Sequence, residues 1–140
     1  MYKRQVQDLS RAATGIIIDN IQNIICRQLK SRRQIEITLA LKKLLSEDSH
    51  INRRPSYYAQ LLHISPVYLN EVVKNITGTT ASKYIQDEII LRAKRMLIYT
   101  TLSIKEIAFN LGFDDHTYFT RLFTQTAGLS PTTYRKKYLE

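Results

Sequence analysis

The 140 residues suffice for one domain with a helical extension, and a formal net charge of +9 favours a polyanionic partner, either nucleic acid or an acidic membrane surface. No apolar run approaches the roughly 18 residues that a membrane span requires, and Met1–Asp8 is too polar for a secretory signal. The single cysteine, Cys26, excludes an internal disulfide and fits a reducing cytosol, so a cytoplasmic location is expected. Three prolines and four glycines leave little room for long loops. Alternating strand patterns are scarce and 3.6-residue periods recur, which predicts an all-α fold.

Along the chain, Ile16, Ile17, Ile18, Ile21, Ile24, Ile25 and Leu29 form a wide apolar stripe, predicting a helix over about 15–31 with Gly15 as a break before it. Such a stripe needs cover, from its own domain, from a second copy, or from a domain outside this chain. Cys26 reads as a small packing residue within it. Lys30, Arg32 and Arg33 read as a solvated joint before a second amphipathic helix, 34–47, with Ile37, Leu41, Leu44 and Leu45 inward. A polar connector over 46–56 carries Arg53 and Arg54, both placed to reach a phosphate.

A short helix over 56–63 is followed by Ser65 as an N-cap and Pro66 at the first helical position, where its missing N–H does no harm. The helix this starts, about 66–76, turns Tyr68, Leu69, Val72 and Val73 inward and Val67, Asn70, Glu71 and Lys74 outward. A long helix over 80–100 is apolar around much of its girth. Its basic residues, Lys83, Arg92, Lys94 and Arg95, are candidates to lie along a phosphate backbone.

Ser103 then begins a capping box with Glu106, and Ile104, Ile107, Ala108 and Leu111 share one helical face. Gly112 ends that helix, because glycine alone takes a left-handed turn at no steric cost. Asp114 or Asp115 caps the next helix, which buries Tyr118, Phe119, Leu122 and Phe123 and exposes His116, Thr117, Thr120, Arg121 and Thr124. An apolar back and a front of hydrogen-bonding side chains suit a helix that enters a major groove. A last helix from Pro131 ends in the basic run Arg135, Lys136 and Lys137, whose first two residues are further phosphate candidates.

The two helical pairs are copies of each other. A shift of 50 lays Tyr68 on Tyr118, Leu69 on Phe119, Val73 on Phe123, Gly78 on Gly128, Thr80 on Ser130 and Tyr84 on Tyr134. Before the turn the shift is 49, laying Ala59 on Ala108, Leu62 on Leu111 and Ile64 on Phe113, so the second turn is one residue longer. Two copies are too few for a solenoid and predict two helix-turn-helix units within one domain.

Ile107, Ala108, Gly112, Phe113, Tyr118, Phe119, Phe123, Gly128, Ser130, Pro131, Tyr134 and Arg135 together resemble the signature of the AraC/XylS family of bacterial transcription regulators. Ala59, Ser65, Tyr68, Leu69 and Gly78 match it in the first unit, and Arg92, Ala93 and Leu97 match it between the units. The resemblance covers roughly 36–138. It implies seven helices, with two recognition helices in successive major grooves of double-stranded DNA and the long helix holding them apart. It places base contacts on Val67, Asn70 and Glu71 in the first unit and on His116, Thr117, Thr120 and Arg121 in the second. Chemically, Arg121 suits guanine, Asn70 adenine, Glu71 a cytosine amino group and Val67 a thymine methyl. It also implies contact with RNA polymerase.

Residues 34–140 are accordingly expected to be the DNA-binding domain, and residues 1–33 a helical extension used for homodimerisation through 15–31 or left from a linker. The family's N-terminal effector barrel has no counterpart in these residues, so no small-molecule ligand is expected of this chain. The alternative function is a protein-interaction module that uses the Ile16–Leu29 helix, with incidental basic charge. Catalysis is the weakest reading. His50, His63 and His116 show no metal-ligand spacing with Cys26 or with each other, and no glycine-rich phosphate loop is present, so neither cofactor nor metal is expected.

Overall fold

The computed structural model describes residues 2–47 and 51–139, with side chains from residue 11 onward. The described residues form seven α-helices and no strand: α1 (Tyr2–Glu47), α2 (Pro55–Leu61), α3 (Pro66–Thr77), α4 (Ala81–Tyr99), α5 (Ile104–Asn110), α6 (His116–Ala127) and α7 (Pro131–Leu139). The all-α expectation holds. The part of the polar connector formed by Asp48, Ser49 and His50 lies outside the described residues. The chain divides into two compact units between Glu36 and Ile37.

The first unit is helical throughout its described length, and here the sequence reading needs correcting. Neither Gly15 nor the basic residues near 31–33 interrupt α1. One interior glycine costs only about 1 kcal/mol relative to alanine, and no proline is present to break the backbone ladder. Arg32 instead pairs with Glu36 one turn on, at 3.5 Å. The stripe from Ile16 to Leu29 is not covered within this unit: its seven members are between 48% and 62% exposed. Cys26 is exposed as well, so it is not a packing residue.

In the second unit the core is built around α4. Ile85, Ile89, Ile90, Ala93 and Leu97 are buried on it, and α2, α3, α5, α6 and α7 all pack against it. The end of α1 contributes Leu41 and Leu45, both buried. The repeat predicted from sequence is present in atomic detail. Ala59 and Ala108, each at most 1% exposed, allow the close crossing of α2 on α3 and of α5 on α6. Ile64 N donates to Ala59 O at 3.0 Å, and Phe113 N donates to Ala108 O at 2.9 Å. Gly78 and Gly128 both stop their helices in the left-handed conformation. The hydroxyls of Thr80 and Ser130 both accept an N–H three residues on, at 3.2 Å.

The copies differ inside. Phe113, Phe119, Phe123 and Tyr134 form a continuous aromatic file in the second copy, with centroids 5.2, 5.9 and 5.5 Å apart. In the first copy the positions of Phe113, Phe119 and Phe123 are held by the aliphatic Ile64, Leu69 and Val73, while Tyr84 matches Tyr134.

Candidate nucleic-acid interface

Helices α3 and α6 carry the polar fronts. Each starts on a side-chain cap, as the sequence predicts. Ser65 Oγ accepts from Tyr68 N at 3.1 Å, and Asp115 Oδ1 accepts from Thr117 N at 2.9 Å. Of the two aspartates that the sequence left open, Asp115 is the cap. Leu69, Val72 and Val73 are buried behind α3, and Phe119 and Phe123 behind α6. In front, Val67 is 79% exposed, and Glu71, Lys74, His116, Thr117 and Arg121 are exposed, while Thr120 is half-buried. Val67, two residues past the Ser65 cap, presents its apolar side chain outward on the front of α3.

Three of the candidate contact residues have hydrogen-bond partners within the fold, and one residue expected on a buried face is exposed. Asn70 Oδ1 accepts from Ala81 N at 3.0 Å, capping the start of α4. That oxygen is one of the two amide atoms that a bidentate adenine pair would use. Arg92 Nη1 donates to Leu45 O at 3.2 Å, tying α4 to the end of α1. Arg135 Nε donates to Leu97 O at 2.9 Å and its Nη2 to Thr100 O at 3.4 Å, satisfying carbonyls at the end of α4. Both guanidiniums, on half-buried side chains, are anchored to backbone carbonyls of the fold. Tyr118 is 47% exposed, not buried.

The remaining cations are placed as follows. Lys83 pairs with Asp87 at 2.7 Å. Lys94 Nζ lies 5.9 Å from the Tyr134 ring centroid. Arg54, Arg95 and Lys136 are exposed. The Arg53 guanidinium lies over Phe113 at 4.4 Å and over Tyr118 at 5.3 Å. This contact joins the connector before α2 to the second helix-turn-helix, and no periodicity in the sequence signals it. Burial, then Glu88, raises the Tyr84 phenol above its ordinary pKa, and burial, then Tyr138, does the same for Tyr134. These two repeat-related tyrosines therefore stay neutral at pH 7. Among the described residues no group of three His, Cys, Asp or Glu side chains is placed to hold a metal, and no helix is long and apolar enough to cross a membrane.

Comparison with known proteins agrees with this geometry. A family described as "Helix-turn-helix domain" matches residues 58–137. The chain is similar to an uncharacterized HTH-type transcriptional regulator, YfiF, of Bacillus subtilis (strain 168), at 37% identity over 93% of this chain and 43% of that protein. The chain thus spans less than half the length of this relative. Among solved structures it is similar to the C-terminal domain of AraT, a response regulator from Geobacillus stearothermophilus, with TM-score 0.65 and 29% identity over 72% of this chain and 84% of that one. An AraC-type DNA-binding-domain regulator from Chromobacterium violaceum shares the fold, with TM-score 0.66 and 23% identity over 76% of this chain and 94% of that one. Two capped helix-turn-helix copies on one long helix, in a chain that matches these proteins across both copies, place it in the AraC/XylS family of helix-turn-helix regulators.

Proposed function

We propose that this chain is the DNA-reading part of a bacterial, cytoplasmic transcription regulator, with α3 and α6 entering successive major grooves on one side of double-stranded DNA. The observation that carries this reading is the pair of repeat-related helices with buried apolar backs and exposed hydrogen-bonding fronts, both packed on α4. At 1.5 Å per residue the 19 residues of α4 extend about 28 Å, close to the roughly 34 Å between successive major-groove faces. Val67 and Glu71 read bases from α3. His116, Thr117, Thr120 and Arg121 read them from α6. Arg54, Lys74, Arg95 and Lys136 face phosphates, with Lys83 and Lys94 as weaker contributors. Neither catalysis nor a cofactor belongs to this reading.

Selection of bound duplexes from a random pool at moderate salt tests it. Enrichment of an asymmetric site, with two short blocks about one helical turn apart, supports two unlike reading heads in one molecule. Failure to enrich any sequence with folded protein overturns it in favour of the protein-interaction alternative.

Self-association through α1 and contact with RNA polymerase complete the proposal. The half-exposed isoleucine stripe supports the first, and the family's usual mode of action supports the second. Ile21→Lys should abolish any concentration-dependent mass increase in sedimentation while leaving single-site DNA binding intact. Transcription from a template carrying the selected site, with and without the protein, tests the second.

A further inference from the structure

The connector before α2 is joined to the second helix-turn-helix at two points. Ile51 is buried, and its carbonyl lies so close to Gly112 that a Cβ there would collide with it. Two residues on, Arg53 spreads its guanidinium over Phe113, buried in the α5–α6 turn, and over Tyr118, half-exposed on α6. Gln86 and Ser82 of α4 border the same cleft, together with Leu122 of α6. Connector, linker helix and second recognition helix therefore meet at one side chain. In the first helix-turn-helix, His63 takes the left-handed position that Gly112 occupies in the second.

We infer that Arg53 is a positioning residue for α6, setting how the second recognition helix presents His116, Thr117 and Arg121, and is not primarily a phosphate contact. The guanidinium carbon lies over both rings, at 4.4 Å from Phe113 and 5.3 Å from Tyr118, and this broad, weakly hydrated cation holds Tyr118 in a way that a lysine ammonium, a compact hydrated charge, does not reproduce. Tyr118 lies next to Thr117 and one helical turn from Arg121, so a change in its ring position is felt by both. The inference rests on the DNA-reading proposal for its consequence but not for its geometry.

Two measurements on the full chain test it. The first needs no DNA. In amide-resolved NMR spectra of the free protein, Arg53→Lys should move signals across 113–121 and leave those of 66–77 in place. Unmoved signals across 113–121 would overturn the inference, whether or not the protein selects any DNA sequence. The second uses the selected duplex with substitutions confined to one block or the other. Arg53→Lys and Arg53→Ala should each reduce discrimination at the α6 block by about fivefold, as loss of about 1 kcal/mol of stacking implies. Discrimination at the α3 block and the slope of affinity against salt should be unchanged. Tyr118→Leu should reproduce the α6-block loss. A phosphate contact predicts the opposite: Arg53→Lys keeps affinity, Arg53→Ala lowers the salt slope by about one, and both blocks are read as before. That result would overturn the inference.

Discussion

Gly112 shows how a single residue can satisfy two constraints. Its φ of 80° suits glycine, and its missing side chain admits the Ile51 carbonyl. Gly112→Ala should therefore destabilise the domain by more than about 2 kcal/mol, the left-handed penalty plus the clash, read as a lowered midpoint in urea unfolding. His63 bears the same conformation at φ 56° in the first helix-turn-helix. Asn70 makes a second distinction. Its amide looks like a base reader in sequence but caps α4 in the structure. Asn70→Ala should cost about 1 kcal/mol in unfolding free energy, and Asn70→Asp, which retains the acceptor, should stay closer to wild type. A changed base preference for Asn70→Ala with unchanged stability would refute this role. Arg121 is exposed and should behave otherwise: Arg121→Ala should cost about 1–3 kcal/mol at one base position in duplex-substitution binding, with stability unaffected. A loss spread evenly over all sequences would contradict its assignment.

Among the elements, α4 carries most of the architecture. It reads in sequence as a helix apolar around much of its girth, and the structure explains why, since both copies, α7 and the end of α1 bear on it. Leu97, fully buried near the place where Arg135 bonds the α4 carbonyls, should be unusually costly to shorten. Leu97→Ala should lose about 2–5 kcal/mol, the transfer and cavity cost of a buried leucine, measured by thermal or denaturant unfolding. Helix α5 depends on its cap instead. Ser103 Oγ accepts from Glu106 N at 3.1 Å, and Glu106 Oε2 accepts from Ser103 N at 2.8 Å, the reciprocal pair predicted from the spacing.

For the whole molecule the decisive quantity is charge. A net charge of +9 does not say which cations are free to face a polyanion: Arg92 and Arg135 bond backbone carbonyls, Lys83 pairs with Asp87, and Arg53 lies over aromatic rings. With Arg54, Lys74, Arg95 and Lys136 as the main phosphate contacts, the logarithm of affinity should fall with the logarithm of salt with a slope near −4. Arg95→Ala should reduce that slope by about one, whereas Arg135→Ala should lower stability and leave the slope in place. Titrations at several salt concentrations separate the two.

The helices, their caps, the doubled unit and the apolar backs of α3 and α6 were all legible in the residues. Each rests on contacts within one turn or on a period of 3.6, and local spacing encodes both. Ser65, Ser103, Gly78 and Gly128 behave as their positions in the chain demand. The partners of Asn70, Arg53, Arg92, Arg135 and Tyr118 were not legible. Each is decided by a partner 11 to 65 residues away in the chain, and an exposed position on a helix does not reveal which distant carbonyl or ring will come within reach. The continuity of α1 also escaped the sequence reading, because a glycine and a basic run permit a break without requiring one. Sequence alone determined where the helices start and stop and most of which faces are apolar; tertiary packing decided which exposed polar side chains are tied to partners elsewhere in the fold.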